Sequence, residues 1–280
     1  MRRFGFPDVP RSASGVDGLM AGEPPFPHVE VARAKLTLSL RVIGVREDGF
    51  HLIDAVMATL DLADRLTFSE GEGLEVVSDS AGGFPVPAGP DNLVSRALLL
   101  AGRTARVRLE KRIPAGAGLG GGSADAAAVL RWAGVNDLGL AARLGADVPF
   151  CMAGGMARVT GIGEVVTPLD FETRHLVLVT PPFGVSTPAV YAAWDRLGGP
   201  TAEGPNDLEP AALVVEPRLG EWRDLLGELT GLTPVLAGSG STWFVELPIA
   251  PDPDLIDFLR QSGPVLARRG LSLTVARTEA

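Results

Sequence analysis

The run Pro114-Ala115-Gly116-Ala117-Gly118-Leu119-Gly120-Gly121-Gly122-Ser123-Ala124 holds five glycines within seven residues and leads straight into an alanine-rich stretch. Glycine leaves the backbone bare where a ligand must touch it. A helix starting here would add unpaired N–H donors and about half a positive charge, so the segment is suited to phosphate. Other readings compete. Gly116, Gly118 and Gly121 spell the dinucleotide pattern GxGxxG, but that loop follows a buried apolar strand, and here Lys111-Arg112-Ile113-Pro114 come first. No Gly-Lys-Ser/Thr follows, so the loop is not of the Walker type. A merely flexible surface loop would not lead into a helix whose first residue, Ser123, is a capping type.

Lys35 and Asp147 are of residue types that can offset a negative charge and accept a proton. Taken alone each has a plainer reading, Lys35 as a solvated charge on a strand face and Asp147 as a turn residue in Gly145-Ala146-Asp147-Val148-Pro149.

The whole chain bounds the ligand. It has 280 residues, a net charge of −9 and a pI near 4.9, which argues against a nucleic-acid partner, since phosphate backbones are bound by accumulated Lys and Arg. An anionic ligand must then be held by local backbone amides or a few placed cations. Cys151 is the lone cysteine, so neither an intramolecular disulfide nor a cysteine zinc site can form. No apolar stretch approaches the roughly 20 residues that span a bilayer, and no signal-like run follows Met1-Arg2-Arg3, so the chain reads as cytoplasmic with no membrane partner. Met20 is a second candidate start.

The elements that must position these residues follow from periodicity. Alternation predicts a strand over His28–Ile43, with Ala32, Ala34, Leu36, Leu38, Leu40 and Val42 on its buried parity and Arg33, Lys35, Thr37, Ser39 and Arg41 on its polar one. A turn at Arg46–Gly49 returns the chain as a strand over Leu52–Phe68, and Asn92 caps a helix over Leu93–Arg103. A strand over Ala105–Lys111 enters the glycine loop, and a helix over Ser123–Ala133 leaves it. Another helix, Asp137–Leu144, is closed by Gly145 with Pro149 beyond. Strands over His175–Val179, Val235–Ala237, Thr242–Leu247 and Leu271–Ala276 then interleave with helices over Pro188–Leu197, Glu216–Leu229 and Pro253–Gln261. The class is α+β in two domains, 28–165 and 166–280, behind a loose tail, 1–27, rich in Gly, Pro and Ser.

The loop segment PAGAGLGGGSADAA resembles the ATP loop of the GHMP kinases, and AKLTLSL (Ala34–Leu40) and LAGSGSTWF (Leu236–Phe244) resemble two further motifs of that superfamily in the same order. REDGFHLID, PDNLV, LGADVPF and GIGEVVTPL narrow the resemblance to the branch that phosphorylates the 2-hydroxyl of 4-diphosphocytidyl-2-C-methyl-D-erythritol in the non-mevalonate isoprenoid route, over about residues 30–280. The resemblance implies a two-domain GHMP kinase fold, with an N-terminal part like domain 2 of ribosomal protein S5 and a ferredoxin-like C-terminal part. It implies ATP as donor with Mg²⁺, and a cytidine-diphosphate-linked polyol as acceptor. By it Lys35 and Asp147 are catalytic, and Pro114 through Ala124, with Asn92 and Lys111, bind ATP. Thr37, Phe50, His51 and Tyr191 bind the acceptor, Phe50 and Tyr191 on opposite faces of the cytosine and His51 at its edge. Two positions depart from the pattern: Arg33 stands for the usual Pro, and Thr37 for the usual Asn. In the loop Asp125 could approach a metal, or be a solvated first-turn acid. The resemblance names neither the metal ligands nor the oligomeric state. The rivals are a GHMP-type kinase for another alcohol and a nucleotide-binding module without turnover.

Overall fold

In the computed structural model the described residues are 26–78, 85–248, 253, 254, 256–259, 261 and 272–280. Most of the expected tail and part of the expected helix Pro253–Gln261 lie outside them.

Two long antiparallel strands, β1 (His28–Val45) and β2 (His51–Ser69), are joined by the expected turn, in which Gly49 N donates to Arg46 O at 2.9 Å. They anchor a six-stranded sheet with β3 (Gly73–Ser78), β4 (Arg106–Lys111), β5 (Met156–Gly161) and β6 (Val165–Pro168). The order is β3-β4-β2-β5-β6 with β1 also on β2, and only β3 and β4 run parallel. Four helices accompany this sheet: α1 (Leu93–Leu100), α2 (Gly121–Trp132), α3 (Leu138–Ala142) and α4 (Val148–Ala153). Because Ala126, Ala127 and Ala128 carry only methyl groups, α2 lies close on the strands with all three fully buried. Phe68 of β2 stacks on Trp132 at the end of α2, with centroids 4.4 Å apart and planes 10° apart.

A second, antiparallel sheet contains β7 (His175–Thr180), β8 (Val235–Leu236), β9 (Trp243–Leu247) and β10 (Ser272–Arg277) in the order β10-β7-β9-β8. With it go α5 (Thr187–Arg196), α6 (Glu209–Val215) and α7 (Leu219–Thr230). The two sheets share apolar cores. Leu36, Leu60 and Ile113 pack with Leu178 and Phe244 in one cluster, and Met57, Phe150 and Val159 with Val177 and Trp243 in another. Side chains between the sheets are therefore held as in a domain interior.

The differences from the expected elements have local causes. A pair of terminal hydrogen bonds, Gly102 N to Leu99 O and Arg103 N to Leu98 O, closes α1 before Arg103. Helix α2 starts two residues before Ser123, with Gly120 rather than Ser123 at its N-cap. Helix α3 stops short of Gly145, and Pro149, expected beyond a helix end, lies in the first turn of α4, where its missing N–H costs nothing. Strands β3, β5 and β6 and helices α4 and α6 are not among the expected elements.

The Phe68–Trp132 stack pins α2 to the sheet, so Phe68→Ala should lower stability by about 3–5 kcal/mol. Chemical denaturation measures this, and a loss under about 1 kcal/mol would detach helix placement from the stack.

Candidate active site

Lys35 is where distant segments meet. Its backbone N–H donates to Leu119 O at 3.0 Å, stitching β1 to the glycine loop. Register shifts between Arg33 and Lys35 and between Thr37 and Ser39 interrupt the β1–β2 ladder around it. Lys35 and Thr37 share one side of the strand as expected, but that side is not solvated: they are 7% and 2% exposed. Lys35 Nζ donates to Thr37 Oγ1 at 3.2 Å and lies 3.3 Å from Asp147 Oδ2. Asp147 occupies the N-cap position of α4 without making a side-chain cap bond. Pro149, two residues on, has no N–H to offer it. The carboxylate, about a third exposed, is thus left free to face Lys35 and incoming solute.

The glycine loop bounds a cavity of about 260 Å³, lined by every residue from Pro114 to Gly122 together with Asn92, Lys111 and Asp125. Gly120 caps α2 with φ +68° and no side-chain bond, and the first intrahelical bond shown across the cap is Ala124 N to Gly120 O, 2.8 Å. The bare amides of the preceding turn suit an anion. A Cβ on Gly120 would stand 2.7 Å from Lys35 Cγ, so the loop backbone rests directly on the lysine stem. Ser123 and Ala124 do not line this cavity, and Ala124 is buried in the helix core.

Beneath the cavity sits a cluster that sequence alone did not disclose. Lys111 Nζ donates to Asp125 Oδ2 at 2.8 Å and, closer still, to Asp64 Oδ2. Asp64 Oδ1 accepts from Arg112 N at 2.5 Å and Ile113 N at 2.8 Å. Asp125 is therefore not a solvated acid: it is 3% exposed, and its Oδ1 is buried with no hydrogen-bond partner among the described residues. Burial pushes its carboxyl up to about 7 despite the pull of Lys111, and the charge of Asp64 adds to the rise. Burial disfavours the Lys111 charge, but the two carboxylates outweigh it and raise the ammonium. Asn92 both lines the cavity and caps α1, accepting from Val94 N at 2.9 Å and donating to Pro87 O at 2.8 Å.

Of the residues expected at the acceptor, Thr37 bonds Lys35 and Tyr191 lies within reach of the Asp147 charge. His51 and Tyr191 come together, with centroids 4.6 Å apart and planes 30° apart. Phe50 stands apart, 45% exposed beneath the Arg46 guanidinium at 5.7 Å. One face of Tyr191 is taken by His51. Burial, with the Asp147 charge as the lesser cause, pushes the Tyr191 hydroxyl up to about 12. Burial also raises the thiol of Cys151, so it is no nucleophile at neutral pH.

The turn between β8 and β9 closes the site over the loop. Thr242 donates to Ala117 O through both N (3.2 Å) and Oγ1 (2.8 Å). Asn206, 1% exposed and missed in the sequence, spans this turn by donating to Leu236 O at 2.8 Å and Gly238 O at 2.7 Å. Pro205-Asn206-Asp207 was the available signal, a polar pair between two predicted helices.

Two outcomes follow. Gly120→Ala should lower kcat as well as ATP affinity, because the added methyl must displace Lys35; steady-state kinetics with a normal kcat and raised ATP KM would remove that coupling. The protonated form of Asp125 contributes stability that is complete below its ordinary value of 3.8 and is lost as pH rises to about 7. Asn cannot ionise, so the melting temperature of Asp125→Asn relative to wild type should climb across that window and level off above it. A flat difference in calorimetry from pH 4 to 8, roughly the window linkage defines, would contradict the assignment.

The family model described as GHMP kinases N terminal domain matches residues 92–155. The chain is 40% identical over 240 residues to the 4-diphosphocytidyl-2-C-methyl-D-erythritol kinase of Paracoccus denitrificans, covering 79% of this chain and 87% of that one. It is 44% identical over 216 residues to the same kinase of Moorella thermoacetica, covering 71% and 73%. A crystal structure of 4-(cytidine 5'-diphospho)-2C-methyl-D-erythritol kinase is similar with a TM-score of 0.71 and 34% identity, over 90% of this chain and 100% of that one.

Proposed function

The chain belongs to the 4-diphosphocytidyl-2-C-methyl-D-erythritol kinase family, and on that footing we propose that it moves the γ-phosphoryl group of ATP to the 2-hydroxyl of 4-diphosphocytidyl-2-C-methyl-D-erythritol, leaving the 2-phosphate and ADP. Its fold is the α+β fold of the GHMP kinases, and the reaction belongs to the non-mevalonate route to isoprenoid precursors.

The observation that carries this reading is the 3.3 Å pair of Lys35 and Asp147 beside a glycine loop that rests on the lysine. Asp147 orients the acceptor hydroxyl and takes its proton, while Lys35 offsets charge on the transferring group. No covalent intermediate is needed, because positioning and charge stabilisation supply the acceleration. The amides from Gly116 to Gly122 hold the ATP phosphates, and Asn92 and Lys111 border the rest of the nucleotide. On the acceptor side Thr37 lies near the reacting hydroxyl, and Phe50, His51 and Tyr191 hold the cytosine. The amino-terminal part, 28–165, supplies the loop and the catalytic pair, and the carboxy-terminal part, 166–280, supplies Tyr191 and the closing turn.

Magnesium enters as the ion that ATP carries, neutralising phosphate charge. Among the described residues no three His, Cys, Asp or Glu side chains cluster to cage a metal. A phosphate-borne Mg²⁺ takes phosphate oxygens and waters with one or two carboxylates. The unpartnered Oδ1 of Asp125, in the cavity wall, is the donor this chain would add. Among the described residues no helix is long and apolar enough to cross a membrane. We place the enzyme in the cytoplasm, with its two small-molecule substrates as its partners.

Release of ADP, coupled to a spectrophotometric readout, should require the cytidyl substrate. Asp147→Asn should bind both ligands yet lose at least about 10²-fold in kcat. A rate near wild type would take Asp147 out of the mechanism.

A further inference from the structure

We propose that Asp195 fixes the tautomer of His51, so that the ring offers the substrate a hydrogen-bond acceptor and selects a base bearing an exocyclic amine. The inference rests on the reading above that His51 meets the base.

His51 opens β2, and α5 grips it from one face. Tyr191 lies against the ring, Trp194 meets it edge-on with centroids 5.6 Å apart at 84°, and Asp195 Oδ1 stands 2.8 Å from His51 Nε2. Positions 191, 194 and 195 are spaced three and four apart, so the three contacts come from one side of the helix. The His51 side chain is 10% exposed. The two ring contacts set the plane of the imidazole, and the carboxylate addresses one nitrogen.

A carboxylate only accepts, so the proton shared with Asp195 belongs to Nε2. A neutral imidazole carries one N–H, which leaves Nδ1 as a lone pair. Nδ1 has no hydrogen-bond partner among the described residues. Cytosine presents an amino group at C4, a donor that matches this lone pair; uracil presents an oxygen there, which sets lone pair against lone pair. Asp195 does little else: half exposed, its carboxylate bonds only His51 among the described residues. An exposed pair of this kind contributes little to stability. Its geometry is better accounted for by what it does to the ring. Asp195 is a positioning residue, acting on the base through His51.

The chain has three histidines, His28, His51 and His175, so ¹⁵N-histidine labelling gives a small spectrum that His51→Ala assigns. In wild type, Nε2 of His51 should carry the proton and Nδ1 should not, whereas Asp195→Ala should show exchange between tautomers. A proton on Nδ1 in wild type would overturn the proposal. In kinetics, the ratio of kcat/KM for the cytidine substrate over its uridine analogue should fall at least about tenfold in Asp195→Ala. That fall should come through the KM of the nucleotide-linked polyol, with the KM for ATP unmoved. If His51→Ala lowers the ratio and Asp195→Ala does not, the tautomer lock fails while base reading by His51 stands. If neither lowers it, base reading at His51 fails and the lock with it. A fall in kcat alone, with the ratio kept, would also overturn the assignment.

Discussion

The aliphatic stem of Lys35 and the backbone of Gly120 occupy adjoining space with no room for a Cβ between them, and most of the site depends on that contact. It places the ammonium beside the turn where phosphate would sit and 3.3 Å from Asp147, an N-cap carboxylate that makes no cap bond. A long cation on a bare strand face would sample many rotamers. Here the loop, Thr37 and Asp147 remove that freedom before any ligand arrives, so less ordering is left for the binding step.

Such a buried ammonium is tolerable only because the surroundings are polar where they need to be and tightly packed elsewhere. Thr37 and Asp147 satisfy Lys35, and the Thr242 hydroxyl and amide satisfy Ala117 at the loop's far side. The apolar clusters that hold these groups in place contain residues of both sheets, so the cleft is set by a continuous interior and not by a hinge between separate bodies. Asn206 extends the same logic: one side-chain amide answers two buried carbonyls and thereby fixes the turn that faces Thr37.

Much of this was legible in residue order. Strict alternation marked β1 and its two parities, and glycine density before an alanine run marked the loop and α2. Asn92 was readable as a cap, because a side-chain acceptor at a helix start acts locally. What escaped was decided by distant partners. Asp64, on β2, meets Lys111 from β4 and Asp125 from α2, and no local pattern distinguishes such an acid from a solvated one. The same blindness made Asp125 look exposed. Pro149 reads as a stop from sequence because proline punctuates both ends of helices, and only the fold shows that it opens α4. On the acceptor side, the stacking of His51 on Tyr191 depends on how α5 docks beside β2, which residue type does not encode.

The aspartate–lysine cluster under the cavity also has a topological meaning. Asp64 clamps the amides of Arg112 and Ile113, where the chain enters the glycine loop, and Lys111 ties that point to Asp125, where the chain leaves it through α2. Both ends of the excursion are thus pinned to one spot, and the loop is closed like a ring by noncovalent contacts. The conformational entropy of so many glycines is then confined to a short arc with fixed ends, in the way a crosslink confines a chain. A segment that by composition should wander is held as an open hoop with both feet on one cluster.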